Sequence, residues 1–124
     1  MHKLETEMVE AIKDREAFRN GPTVVYEANY GAMVVELYGH QIARVYHSGL
    51  IDVNLHGYTS KMTLSRINAI MSGLLVGPDA DKVRLAVKDG QPCIVCTGSR
   101  IFVPSSGWFD FVYYASKVAV VKLG

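Results

Sequence analysis

Two cysteines three residues apart, Cys93-Ile94-Val95-Cys96, have the spacing of half a zinc knuckle or of a thioredoxin-type redox pair. The segment around them reads as a strand, in which residues three apart point to opposite faces. No second CxxC or HxxxH supplies further ligands, so the expectation is two small buried thiols. His40, His47 and His56 fall in one β-rich region, where convergence would make a metal site. No pair of them has the i, i+2 spacing that shares a strand face, and they read as surface or turn residues. Serines stand beside glycine at Ser48-Gly49, Ser72-Gly73 and Ser106-Gly107, but none lies in GxSxG. Phosphate-cradling GxxxxGK[ST] and GxGxxG loops are absent. No constellation supports an enzyme, and no cofactor or metal is expected.

Charge is the more informative signal. The 13 Lys+Arg and 12 Asp+Glu give a net charge of +1, which argues against indiscriminate binding to polyanions. The balance hides a polarity: residues 1–39 hold 7 acidic and 4 basic side chains, whereas residues 40–124 hold 5 acidic and 9 basic ones. In the second stretch Arg44, Lys61, Arg66, Lys82, Arg84, Lys88 and Arg100 are interleaved with Tyr38, Tyr46, Tyr58 and Trp108. Cations that neutralise phosphates and rings on which bases stack are the two ingredients of single-strand nucleic-acid binding.

The elements that must position these groups follow from periodicity. Leu4, Met8, Ala11 and Ile12 form a helical stripe within residues 3–19, which Gly21-Pro22 is expected to end. From Thr23 to His56 the period is two: Thr23 to Ala28, Ala32 to Tyr38, Gln41 to His47 and Leu50 to Leu55 read as strands separated by Gly-containing gaps. Gaps this short permit only antiparallel neighbours, hence a four-stranded meander. In its third strand Ile42, Arg44 and Tyr46 are expected on one face and Ala43, Val45 and His47 on the other.

A second helix is expected after an N-cap at Thr63, its apolar stripe of Leu64, Ile67, Ile70, Met71, Leu74 and Leu75 docking on the sheet. Val83 to Lys88 and Pro92 to Thr97, joined by Asp89-Gly90, read as a hairpin, followed by a strand at Ile101 to Val103. Trp108 to Tyr114 reads as an aromatic strand, and Val118 to Val121 as a segment able to cover a sheet edge. The class is therefore α+β: an antiparallel meander with an N-terminal helix, a second helix on one face and a C-terminal hairpin region, all in a single domain over 1–124. With 49% hydrophobic residues such a chain can build its own core. The N-terminus carries no signal-peptide core and no apolar run reaches membrane-spanning length, so the expected location is the cytoplasm.

The stretch Val35-Glu36-Leu37-Tyr38-Gly39-His40-Gln41-Ile42-Ala43, followed by Thr59-Ser60-Lys61-Met62-Thr63-Leu64-Ser65-Arg66-Ile67-Asn68-Ala69-Ile70, resembles a widespread group of small bacteriophage proteins, mostly without assigned function. That group carries a strand ending in Leu-His-Gly-Asn-x-Ile-Ala and later Thr-Thr-x-x-Arg-Leu-Asn-Ala-Leu opening a helix. Here Tyr38 stands for the His, His40 for the Asn, Met62-Thr63 for Thr-Thr, and Ile67 and Ile70 for leucines. Arg66 and Asn68 are then expected beside the strand-helix junction, fixing it through hydrogen bonds to nearby carbonyls. A looser resemblance, in size, is to the single-stranded DNA-binding early proteins of N4-like podoviruses, which implies a role in replication or early transcription.

The functional expectation is a non-catalytic phage protein of the host-cell cytoplasm that binds single-stranded DNA on the open sheet face and acts as a homo-oligomer. Arg44, Tyr46, Lys61, Arg84 and Lys88, with Arg66, are the expected contacts. A host or phage polymerase is a further expected partner. The rival reading is a host-directed protein that binds and modulates a bacterial enzyme through Trp108, Phe109, Phe111, Tyr113 and Tyr114.

Overall fold

A computed structural model describes residues 2–124. The first helix, α1 (Lys3–Asp14), buries Met8, Val9, Ala11 and Ile12. It is shorter than its periodicity suggests. Arg15 takes a left-handed conformation and returns its N–H to the carbonyls of Ala11 and Ile12, which closes the helix without glycine. The chain then forms β1 (Phe18–Asn20), which pairs antiparallel with β2 (Thr23–Glu27). Gly21-Pro22 is thus the turn of a hairpin rather than a helix terminator, with Gly21 supplying the positive φ.

The expected meander is present. After β2 come β3 (Ala32–Leu37), β4 (His40–Tyr46) and β5 (Ile51–Asn54), all antiparallel neighbours. A sixth strand, β10 (Trp108–Asp110), joins the far edge, giving the order β1-β2-β3-β4-β5-β10. One departure matters for the surface. A bulge in the β3–β4 pairing turns both Ile42 and Ala43 into the core and places Gln41 on the same face as Arg44 and Tyr46. Simple alternation had put Ile42 on that outer face.

The second helix, α2 (Lys61–Leu74), is capped by Ser60 rather than Thr63: Ser60 Oγ accepts from the Thr63 amide at 3.3 Å and bonds its hydroxyl at 3.0 Å. Its Ile67, Ile70 and Met71 lie against the meander together with α1. The chain leaves α2 directly into β6 (Leu75–Val76) and crosses to a three-stranded antiparallel sheet of β7 (Arg84–Lys88), β8 (Gln91–Cys96) and β9 (Ser99–Phe102). Asp89 and Gly90 both have positive φ, as the tight two-residue hairpin requires. Leu85, Ile94 and Cys96 turn inward from this sheet and join the one core that the helices and the meander share.

Two expectations for the C-terminal region are corrected. After Asp110 the aromatic segment becomes a short helix, α3 (Phe111–Ala115), because Asp110 Oδ1 accepts from the Tyr113 amide at 3.0 Å and caps it. The tail contributes β11 (Lys122–Leu123), not Val118 to Val121. It pairs with β6 rather than with an edge of the meander.

Candidate nucleic-acid interface

The outer face of the meander holds Arg44 and Tyr46, but Arg44 is already engaged. Its Nε and Nη2 donate to Gln41 Oε1 at 3.2 and 3.1 Å, and its guanidinium lies 3.8 Å from the Trp108 ring centre. Gln41 Nε2 donates to Tyr26 Oη at 3.1 Å, and Tyr26 Oη donates to Glu36 Oε2 at 2.7 Å. The hydrogen bond to Glu36, reinforced by burial, raises the Tyr26 phenol above its ordinary pKa. On the same face Arg44 pairs across to Asp52, and Asp52 to Asp110. Burial, and then the Asp110 charge, raise the Asp52 carboxyl above the usual range, with Arg44 pulling the other way. Glu36, Asp52 and Asp110 thus surround Arg44. This is a cross-linked, mixed-charge surface, unsuited to a polyanion.

The outer face of β7–β9 is different. Cross-strand partners share a face, so the register sets Arg84, Val95 and Arg100 in one row, Ala86, Cys93 and Phe102 in the next, and Lys88 beside Gln91 in the third. Those rows contain no carboxylate. Arg84, Lys88 and Arg100 are exposed, and Phe102 keeps 46% of its surface open with the Arg100 guanidinium 5.5 Å from its ring centre. Arg84 also borders an open groove of about 680 Å³ between β7 and α2, whose other wall carries Lys61, Ser65, Asn68 and Ser72.

Asn68 fixes that groove. Its Nδ2 donates to the Leu85 carbonyl at 3.0 Å and its Oδ1 accepts from the Leu85 amide at 2.7 Å, so one side chain satisfies the free backbone edge of β7 and seats Arg84 next to α2. Asn68 thus bonds a carbonyl, but that of Leu85 on β7 rather than one at the strand-helix junction where it is expected. Arg66 behaves otherwise: it is buried, and its guanidinium donates to Glu5 Oε2 at 3.0 Å and to Thr23 Oγ1 at 3.1 Å rather than to carbonyls. It faces the interior and is not placed to touch a nucleic acid.

The structure thus divides the expected contacts. Lys61, Arg84 and Lys88 fall on or beside one sheet, Arg44 and Tyr46 lie on a different sheet that faces away from the shared core elsewhere, and Arg66 is internal. Arg100 and Phe102 complete the basic sheet and were not among the expected contacts. The Asp89-Gly90 hairpin signal, extended by the register across β9, is what places Arg100 opposite the same Val95 as Arg84.

Cys93 and Cys96 are both buried free thiols on opposite faces of β8. Among the described residues no group of three His, Cys, Asp or Glu side chains is arranged to hold a metal ion. His40 and His56 do approach each other, with ring centres 5.3 Å apart, while His47 stays apart beside Gly31. Of the five aromatic residues proposed as a partner surface, Phe109 and Phe111 are buried in the core and Tyr113 alone is exposed.

The family described as Kyanoviridae Gp96 protein matches residues 1–110. The chain belongs to this family. It is therefore a small bacteriophage protein, as the resemblance implied, and the match spans the six-stranded and three-stranded sheets and the first two helices. The residues of α3 and β11 lie beyond it. No curated protein and no solved structure matches the chain. No helix among the described residues is long and apolar enough to cross a membrane.

Proposed function

We propose that this Gp96-family protein is a non-catalytic single-stranded DNA-binding protein whose contact surface is the outer face of β7–β9 together with Lys61. The observation that carries the reading is the carboxylate-free array of Arg84, Lys88 and Arg100 around the open ring of Phe102. Such an array neutralises successive phosphates while offering one stacking face, and neither interaction depends on base identity. A role in phage replication or early transcription, in the host cytoplasm and as a homo-oligomer, is consistent with this surface.

The rival reading, a host-directed protein docking through aromatic residues, has less support, because Phe109 and Phe111 are core residues and Tyr113 is the exposed member of the five.

Fluorescence anisotropy of a labelled oligothymidylate tests the proposal. Binding at about 50 mM salt, weakening steeply as salt rises, is expected, since each neutralised phosphate contributes a slope of about −0.7 in log K against log salt for single strands. Arg84→Ala and Arg100→Ala should each weaken binding and lower that slope by about that amount, while Arg44→Ala should not. Absence of binding at about 50 mM salt refutes the proposal.

A further inference from the structure

A second concavity opens at the end of the meander where the bacteriophage-like motif residues meet. Its floor is apolar, made by Leu37, Ile42 and Leu55, and its cavity volume is about 270 Å³. Tyr38, His40, His56 and Tyr58 stand around it. The His40 ring lies 5.3 Å from that of His56 and 5.9 Å from that of Tyr58, at tilts of 45° and 50°. Tyr38 and Tyr58 are 67% and 58% exposed, so each keeps an open ring face at the rim.

The backbone is held in unfavourable conformations to present these rings. Tyr38 and His56 have φ of 52° and 53°, in the left-handed region that residues other than Gly rarely visit. Tyr38 occupies the first position of a two-residue hairpin loop with Gly39, where Asn, Asp or Gly is favoured. His56 is tied at both ends: its amide donates to Asn54 Oδ1 at 2.9 Å and its Nε2 donates to the Gln41 carbonyl at 2.6 Å, which fixes the orientation of the ring.

No Lys or Arg of the described residues lines this concavity, so it is not built for a phosphate. Its apolar floor, aromatic rim, and the hydroxyls of Ser60 and Thr63 suit a flat ring with a polar edge. It also adjoins the basic groove: Ser60 lines the concavity and the next residue, Lys61, lines the groove that runs to Arg84.

We propose that this concavity is a base-binding pocket that takes one unstacked nucleobase of the strand whose phosphates lie on Lys61 and Arg84. The pocket rests on the single-strand reading for its setting, and its test separates the two. Free deoxyadenosine and thymidine are titrated into the protein while the His40, His56 and Tyr58 ring resonances are followed by NMR, with indole as a stand-in for a protein side chain. Shifts with a nucleoside, lost in Tyr58→Ala and in Tyr38→Gly, are expected, and Tyr38→Gly also relieves the backbone strain and so keeps the fold. Each substitution should weaken oligonucleotide binding roughly 5- to 150-fold, the range for one stacked base, with the salt slope unchanged. If oligonucleotide binds and both variants bind it equally well, the pocket is overturned and the basic surface stands. Ring shifts with nucleoside but no binding of oligonucleotide overturn the basic surface instead. Shifts with indole but with neither nucleoside overturn the pocket in favour of a protein partner.

Discussion

Arg66 on α2 donates through Nη1 to Glu5 Oε2 on α1 at 3.0 Å, and both side chains are buried. Ser65 donates to the same carboxylate oxygen at 2.5 Å, and Arg66 Nε reaches Thr23 on β2, so one internal cluster ties both helices to the sheet. Removing one member strands the other in the core. Glu5→Ala is expected to cost about 3 to 5 kcal/mol in urea-induced unfolding, and a double replacement, Glu5→Met with Arg66→Leu, should cost clearly less than either polar partner left alone.

The pairing of Arg44 with Trp108 spans β5 and gives a direct optical probe, because Trp108 is the only tryptophan. Arg44→Ala is expected to red-shift the Trp108 emission as water replaces the guanidinium, and to lower stability by about 0.5 to 1 kcal/mol. An unchanged spectrum would mean that the stack does not persist in solution.

Asp52 sets a pH dependence. Burial and the neighbouring Asp110 raise its folded-state pKa, so the folded chain holds that proton more tightly than the unfolded chain does. Its contribution is fully favourable below the unfolded carboxyl pKa and is lost as pH rises through the raised folded value. Asp52→Asn should therefore raise the melting temperature at pH 7, by the equivalent of less than about 1 kcal/mol for so solvated a group, and the advantage should vanish in acid. Thermal melts from pH 3 to pH 7 check the sign.

Gly73 brings α1 and α2 together, since a Cβ there would run into Val9 Cγ1. Gly73→Ala should destabilise by about 1 to 3 kcal/mol through overpacking, and adding Val9→Ala should recover part of the loss by vacating the space. Chemical denaturation of the single and double variants measures both.

Asn68 should govern the basic sheet without touching a ligand. Asn68→Ala leaves the amide and carbonyl of Leu85 without their partner and is expected to cost about 1 to 3 kcal/mol. Amide exchange at Leu85 should quicken, and oligonucleotide affinity should fall because Arg84 loses its fixed place beside α2. Retained protection at Leu85 would show that β7 holds its position without Asn68.

Local periodicity and turn chemistry suffice for the α+β class, the antiparallel meander of β2 to β5, the Asp89-Gly90 hairpin and the burial of both cysteines, because each depends on residues close together in the chain. The sequence pattern missed β1 and the end of α1: the helix stops at Arg15, whose left-handed conformation turns its amide back to Ala11 and Ile12, and a non-glycine residue gives no local sign of such a stop. It misplaced the cap of α2 by three residues because Ser60 and Thr63 are both good caps and act together. What only the tertiary structure decided is which cations share a surface. Period-two patterning tells which residues of one strand lie on the same face, but not which sheet the strand joins, nor that a bulge would bring Gln41 beside Arg44. Nor does it tell a buried Arg66 from an exposed Arg84, since that difference lies in Glu5, 61 residues away. The positive charge read along the chain becomes a confined surface only through the register of β7, β8 and β9.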